Sequence, residues 1–307
     1  MPTSPTQPVL SEGDIATIVS DGLGAGLAGA EQLSGGTFAA VWRADLDDGR
    51  RVVVKAGPPA SARLLAYEKD VIPAEAEYYT MIRTQAPGVP VPEVLAVSPA
   101  WIITSLLPGT PLSSADSPRA RAELGAAIAQ VHTITGPLFG YTGDRPSGDD
   151  WPAALDAIID ALRADAAAWN VPLPPLDGVV GRYHDVLAAV TRPALLHFDL
   201  WDGNVLVGPD GALTGLVDGE RYLYGDPLLD FVSPALLHRI EDLPDHPFLA
   251  GYGIGPFDDA AKIRLSLYRI HLYVLMIAEG PSRGIHIADG RHDHLTGLLT
   301  QELADLP

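Results

Sequence analysis

An aspartate and an asparagine five residues apart, with a second aspartate fourteen residues beyond, constrain this chain more than any other feature. The first pair lies in His197-Phe198-Asp199-Leu200-Trp201-Asp202-Gly203-Asn204, and the second aspartate in Val217-Asp218-Gly219-Glu220. Between them, Asn204–Val207 and Leu213–Val217 read as short strands around the turn Pro209-Asp210-Gly211. A fold that uses these groups together must bring a loop, a hairpin and a strand end to one place. That requires a chain with strands and helices in separate blocks.

The rest of the sequence supplies such blocks. Residues 11–20 read as a short helix begun by Ser11, 30–34 and 38–44 as strands, and Arg51 to Lys55 as a β-branched strand after the turn Asp47-Asp48-Gly49. From Pro73 to Arg83 the pattern is helical, with Glu75, Tyr79 and Ile82 on one face, and GVPVP at 88–92 stops it. Strands follow near 93–97 and 101–105, and Leu107-Pro108-Gly109 reads as a linker. Beyond it, Ser117-Pro118 opens a helix carrying Leu124, Ile128, Val131 and Thr135; Asp149 or Asp150 caps another ending near Trp169; a shorter one runs 178–190; the last eighty residues read as helices. The expected fold class is α+β, a β-rich lobe over residues 1–105 and a larger helical lobe over 106–307, with a cleft between them. No repeat of fixed period points to a solenoid.

Composition narrows the chemistry. The chain has 307 residues, 47% hydrophobic and 19% charged, and no cysteine, so disulfides, thiolate metal sites and a cysteine nucleophile are excluded. Its net charge of −19 repels nucleic acid and anionic membrane, and reads either as solubility or as an acidic pocket for an amine-bearing substrate. The opening MPTSPTQPVL has neither a basic nor an apolar signal region, and the apolar run Ile263–Ala278 is broken by Arg264, Arg269 and His271. A cytoplasmic protein without a membrane partner is expected, its oligomeric state open.

The Asp199-to-Asn204 spacing is that of a kinase catalytic loop. One carboxylate accepts or orients a hydroxyl proton as phosphoryl transfer proceeds. A neutral amide oxygen one turn away ligates Mg²⁺ without adding like charge beside the base, and Asp218 supplies the metal-ligating carboxylate. Upstream, Ser34-Gly35-Gly36-Thr37 joins two strands and lets backbone N–H groups approach phosphate oxygens. Lys55 neutralises phosphate charge, held by Glu75 on the following helix. Glu68 and Glu77 compete for that role, but Glu75 shares the inward face of Tyr79 and Ile82.

With SGGTF (34–38), VVVK (52–55), GVPVP (88–92), LLPGTPL (106–112), HFDLWDGN (197–204), LVDGE (216–220) and GDPLLDF (225–231) in order, the sequence resembles the aminoglycoside phosphotransferase and fructosamine kinase group of the protein-kinase-like fold. HxDLWxGN is especially close to the fructosamine-kinase branch. The resemblance implies Asp199 as catalytic base, Asn204 and Asp218 as Mg²⁺ ligands, Lys55 and Glu75 as the phosphate anchor, and Thr104–Leu106 as the adenine hinge. Phe198 departs from the glycine usual there, which bears on substrate class more than on reaction.

The expected activity is therefore transfer of the γ-phosphoryl of ATP, with GTP as the alternative nucleotide, to a hydroxyl of an amino sugar, an aminoglycoside-like antibiotic or a ketoamine. The rivals are a neutral sugar or macrolide acceptor, and a catalytically silent nucleotide-binding module. A protein kinase is disfavoured because Gly225-Asp226-Pro227 follows Asp218 too soon for a long activation loop. Around the core motif, His197 and His132 read as structural, Asp226 and Asp230 as scaffolding, and Asp144, Asp149 and Asp150 as a solvated loop or a substrate lip. Trp201 packs the loop or lines the acceptor pocket, with Asp202 as a further acceptor contact. Glu220 is a metal-shell group, a substrate-amine contact or a solvated carboxylate.

Overall fold

The computed structural model describes residues 4–33 and 36–307. A five-stranded antiparallel sheet forms the front of the chain: β1 (Leu27–Gln32), β2 (Ala40–Leu46), β3 (Arg51–Ala56), β4 (Val94–Val97) and β5 (Trp101–Ser105), in spatial order β1-β2-β3-β5-β4. The helix α1 (Glu12–Leu23) starts in a capping box: the Ser11 side chain accepts from the Asp14 amide, and the Asp14 carboxylate accepts from that of Ser11.

Strand alternation sorts β3 between two environments. Val52 and Val54 are buried with Ile15 and Val19 of α1, so Lys55 takes the opposite face. That face meets α2 (Val71–Gln85), which runs with Ile72, Tyr78, Tyr79 and Ile82 in the main core. A register slip of one residue would exchange Val54 for Lys55 and destroy both environments. Pairing of Lys55 with Val41 and Ile102 fixes it in place.

The linker does more than connect. Its end forms β6 (Thr110–Pro111), which pairs with β10 (Val205–Val207) beside β11 (Leu213–Leu216), so the hairpin between Asn204 and Asp218 is a three-stranded sheet. Gly109 makes this approach. Its φ is +123°, and a Cβ there would lie 2.8 Å from the Val207 carbonyl oxygen.

Helices then dominate. Ser117 caps α3 (Pro118–Val131) and Asp150 caps α4 (Trp151–Ala168), each by accepting from an amide three residues on. The segment expected as one helix over 178–190 is instead α5 (Val179–Arg182) and α6 (His184–Ala188), broken at Tyr183, whose φ of −111° leaves helical geometry. Short strands β7 (Phe139–Gly140), β8 (Ser147–Gly148), β9 (Ala194–Leu196) and β12 (Leu223–Gly225) form a further sheet. The last third carries α7 (Pro247–Tyr252), α8 (Asp259–Ala278) and α9 (Arg291–Asp305). α8 is buried along most of its length, with Arg269 and His271 buried among its apolar residues. No helix among the described residues is long and apolar enough to cross a membrane.

Candidate active site

The catalytic-loop motif lies between β9 and β10 and is held from beneath by one buried carboxylate. Asp230 is fully buried and accepts from the amides of His197 at 3.0 Å and Phe198 at 2.6 Å. His132 bonds the same carboxylate through Nε2 at 3.0 Å and bonds Tyr252 through Nδ1. His132 is thus a partnered core histidine. Asp226 is scaffolding of the same kind: it caps the following turn, accepts from Tyr268 and faces Arg264 at 3.2 Å.

Phe198 has φ +67°, the left-handed region that costs a side chain about 1 kcal/mol or more. Three groups hold it there. Asp230 takes its amide, Ser233 donates to its carbonyl at 3.1 Å, and its ring stacks on His271 at 4.7 Å and 3°. The ring is buried, away from solvent. His271 has no hydrogen-bond partner at either ring nitrogen, and burial pushes its pKa down to about 3. It is a neutral ring in the core.

His197 ties the loop to the strand end. Its Nδ1 accepts from the Asp199 amide at 3.2 Å, which leaves Nε2–H to donate to the Val217 carbonyl at 3.1 Å. Asn204 does the same from the other side: its side-chain nitrogen donates to the Asp199 carbonyl at 2.9 Å, and its carbonyl accepts from the Val217 amide at 3.0 Å. Asp199 and Asn204 are therefore tied to Val217, the residue that precedes Asp218. Asp199 is partly buried, with Arg221 Nε 3.7 Å from its Oδ2. Burial raises its pKa above the usual carboxylate value, against the opposing charge of Arg221.

Lys55 joins the two regions of the chain. Its ammonium lies 2.8 Å from Glu75 Oε2 and 2.8 Å from Asp218 Oδ1, and donates to Glu220. The donor directions serve Asp218 and Glu220, while Glu75 meets the charge side-on. Burial works against the ammonium, but the three carboxylates raise its pKa well above the usual value. With three carboxylates on one ammonium, burial pushes Glu75 up to about 7 despite Lys55, while Lys55 holds Asp218 below its ordinary value against burial. Tyr79 completes the unit, donating to Glu75 at 2.6 Å and accepting from the Asp218 amide at 3.0 Å.

The competing glutamates are otherwise engaged: Glu68 pairs with Arg283, and Glu77 accepts from Tyr222 at 2.7 Å. Of the three readings expected for Glu220 the solvated carboxylate is overturned, because a long-range contact to β3 buries it against Lys55. Asp202 makes a two-pronged pair with Arg121 at 2.6 and 2.8 Å, on a side chain 31% exposed beside the same groove as Trp201. Trp201 is 37% exposed beside a groove of about 510 Å³. Its indole lies over Gly203, where a Cβ would sit 2.2 Å from the ring. Asp150 is a helix cap, and Asp144 faces Lys69 in an exposed pair. Gly36 and Thr37 are exposed, whereas Ser34 and Gly35 lie outside the described residues. Thr104 is buried in β5; among the described residues nothing hydrogen-bonds the backbone of Leu106.

For a divalent cation, Glu75, Asp218 and Glu220 place carboxylate oxygens within 4.8 Å of one another, but the Lys55 ammonium already sits among them. The remaining hard oxygen donors are the second Asp218 oxygen, on a side chain 40% exposed, and the Asn204 amide oxygen, whose nitrogen is committed to the loop. One carboxylate and one amide oxygen suit Mg²⁺, which keeps water and phosphate in its other positions. Arg221, Tyr79 and Glu279 escaped the sequence reading. Only Tyr79 carried a signal, its place four residues after Glu75.

The probable ketoamine kinase YniA of Escherichia coli K12 is 28% identical over 163 residues, 47% of this chain and 55% of that one, so the chain spans about half the length of this curated relative. A probable ketoamine kinase of Klebsiella aerogenes is 26% identical over 223 residues, 66% of this chain and 74% of that one. Among solved structures, a candidate fructosamine-3-kinase of Thermobifida fusca superposes with a TM-score of 0.69 at 22% identity, covering 94% of this chain and 98% of that one. The streptomycin–ATP complex of APH(2″)-IIa gives 0.63 at 16%, covering 96% and 97%. The fold is protein-kinase-like, a β-sheet lobe followed by a helical one. Residues 29–265, most of the chain, match the profile of the APH family, and the chain belongs to this phosphotransferase enzyme family.

Proposed function

We propose that the chain is a small-molecule kinase that transfers the γ-phosphoryl group of ATP to a hydroxyl, with a ketoamine as the leading acceptor class. The observation that carries this reading is the Lys55 ammonium, 2.8 Å from both Glu75 and Asp218. It joins the sheet lobe to the strand end where phosphate and metal would lie. The ketoamine class follows from the names of the curated relatives; an amino sugar or aminoglycoside is the alternative. The lobes divide near residues 105 and 106, and of the hinge residues Thr104–Leu106 it is Leu106, past the end of β5, that offers free backbone to an adenine ring.

In this reading Lys55, positioned by Glu75, contacts nucleotide phosphate oxygens, and the backbone at Gly36 and Thr37 contributes to their cover. Asn204 and Asp218 hold Mg²⁺, which when bound offsets charge on the phosphates. Asp199 receives the acceptor's proton as its oxygen bonds to the γ-phosphorus, and the bridging oxygen leaves with ADP. Burial makes Asp199 a stronger base than an exposed carboxylate. Little covalent work falls to the protein, so rate comes from positioning and charge. Trp201 bounds the acceptor side.

The test is ADP release in Mg²⁺-ATP across glycated amines, amino sugars, aminoglycosides and macrolides, with product mass measured. Asp199→Asn is expected to lower kcat by about 10²–10⁴ while nucleotide affinity stays within a few-fold. Absence of both nucleotide binding and ADP release with every acceptor would sink the reading. Nucleotide binding without any turnover would favour a silent nucleotide-binding module.

A further inference from the structure

Beside Asp199 the structure holds a set of groups that phosphoryl transfer alone does not use. Arg221 lies 3.7 Å from Asp199 and donates to Glu279 at 3.0 Å through one Nη2 hydrogen. Its Nη1 has no partner among the described residues, and the side chain is 15% exposed. Its guanidinium sits 5.8 Å from the centre of the Tyr67 ring, which stacks on Tyr141 at 6.0 Å and 26°. On the far side Arg145 lies 5.1 Å from the Tyr141 ring centre. The Tyr141 hydroxyl is fully buried and has no hydrogen-bond partner among the described residues. The unspent donors of Arg221, with the Tyr67 and Tyr141 rings stacked behind it, leave an incomplete set of hydrogen bonds beside Asp199.

Charge balance says what completes it. Asp199, Arg221, Glu279, Arg283 and Glu68 alternate in sign along a chain of contacts. When the acceptor's O–H proton passes to Asp199, its new O–P bond forms and the P–O bond to ADP breaks, Asp199 becomes neutral. Arg221 then shares Glu279 with Arg283 and lacks its second anion. An acceptor with a carboxylate a few bonds from its reacting hydroxyl supplies that anion, and bidentate guanidinium–carboxylate geometry suits it. A polycationic acceptor would instead put like charge against Arg221. The acidity of the whole molecule is thus not carried into this corner of the site.

We propose that Arg221, with Tyr141 behind it, is the specificity-determining group of the acceptor site and selects a ketoamine whose amine part bears a carboxylate. This rests on the kinase reading above with Asp199 as base.

The test uses matched acceptors, the ketoamine of glucose with glycine and that with glycinamide, which differ only in the carboxylate. For the wild-type chain kcat/KM is expected to favour the glycine adduct by about tenfold or more. In Arg221→Met the ratio should fall to about twofold, with the glycinamide adduct still turned over, and Tyr141→Phe should lower the ratio while keeping the fold. Equal wild-type turnover of the pair overturns the proposal without touching the kinase reading. So does an equal loss of both substrates in Arg221→Met, which would assign the guanidinium to the transferred phosphoryl group. If Arg221→Met does not fold, the wild-type ratio and Tyr141→Phe decide. If no hydroxylated acceptor supports ADP release, the kinase reading falls and this proposal with it.

Discussion

Phe198 shows how a residue can be strained and still stabilise. A glycine at this position would remove the left-handed penalty, on the order of 1 kcal/mol, but would also delete a fully buried ring, a loss of about 3–5 kcal/mol. The second effect wins. Phe198→Gly should therefore destabilise the chain by about 2–4 kcal/mol in urea unfolding, and a more stable variant would show that strain dominates. Its stacking partner gives a pH prediction. His271 has a folded pKa of about 3, below the ordinary 6.5, so the unfolded chain binds its proton more tightly. Its contribution is fully favourable above pH 6.5 and is lost as pH falls from 6.5 toward 3. The expected slope is up to about 1.4 kcal/mol per pH unit. His271→Leu should flatten stability measured between pH 6.5 and 5; an unchanged slope would place the acid sensitivity elsewhere.

Among the elements, the two-residue strand β6 has consequences out of proportion to its length. It docks the inter-lobe linker onto the hairpin that separates Asn204 from Asp218, and only a glycine at position 109 fits both the φ of +123° and the Val207 carbonyl. Gly109→Ala should cost about 2 kcal/mol or more from strain and overlap, and should speed amide exchange in 205–207 ahead of the core helices. Uniform protection in that variant would mean the linker adapts freely. The helix starts are more local matters. Ser11, Ser117 and Asp150 cap α1, α3 and α4 as their residue types suggest, because a cap needs only a nearby oxygen and a free amide. The break at Tyr183 had no such local marker, and packing of α6 against α4 and α8 replaces one helix by two short ones.

At the level of the whole molecule, the Lys55 cluster is the electrostatic joint between the lobes. Lys55→Met would leave Glu75, Asp218 and Glu220 facing one another without a cation. Breaking a buried pair in this way costs about 3–5 kcal/mol. Glu75, raised to about 7 by burial, already binds its proton more tightly folded than unfolded, so its contribution works against folding as pH rises from 4.5 through 7. The loss in Lys55→Met should accordingly be larger at pH 8 than at pH 5, where carboxylates take up protons. Urea unfolding at the two pH values measures it, and a pH-independent loss would contradict the shared-charge account. A second joint lies at the front of the chain: Thr6 donates to the Thr37 carbonyl and reaches that of Ser282, while Gln7 donates to the Ala39 carbonyl. The segment after β1 is thereby fastened to the helical lobe.

The amino-acid sequence by itself determined the order of the blocks, the face of β3 that carries Lys55, and the loop that carries Asp199 and Asn204. These follow from strand alternation, turn residues and motif spacing, all of which act over a few positions. Lys55 with Glu75 was legible too, because helix periodicity put Glu75 beside Tyr79 and Ile82. Only the tertiary structure decided that Glu220 turns inward to Lys55, that Asp202 is paired with Arg121, and that Arg221 stands beside Asp199. Each is a charge choosing among partners 22 to 165 residues away in the chain. Burial makes the nearest opposite charge decisive for such groups, and which charge is nearest is a property of packing rather than of local sequence.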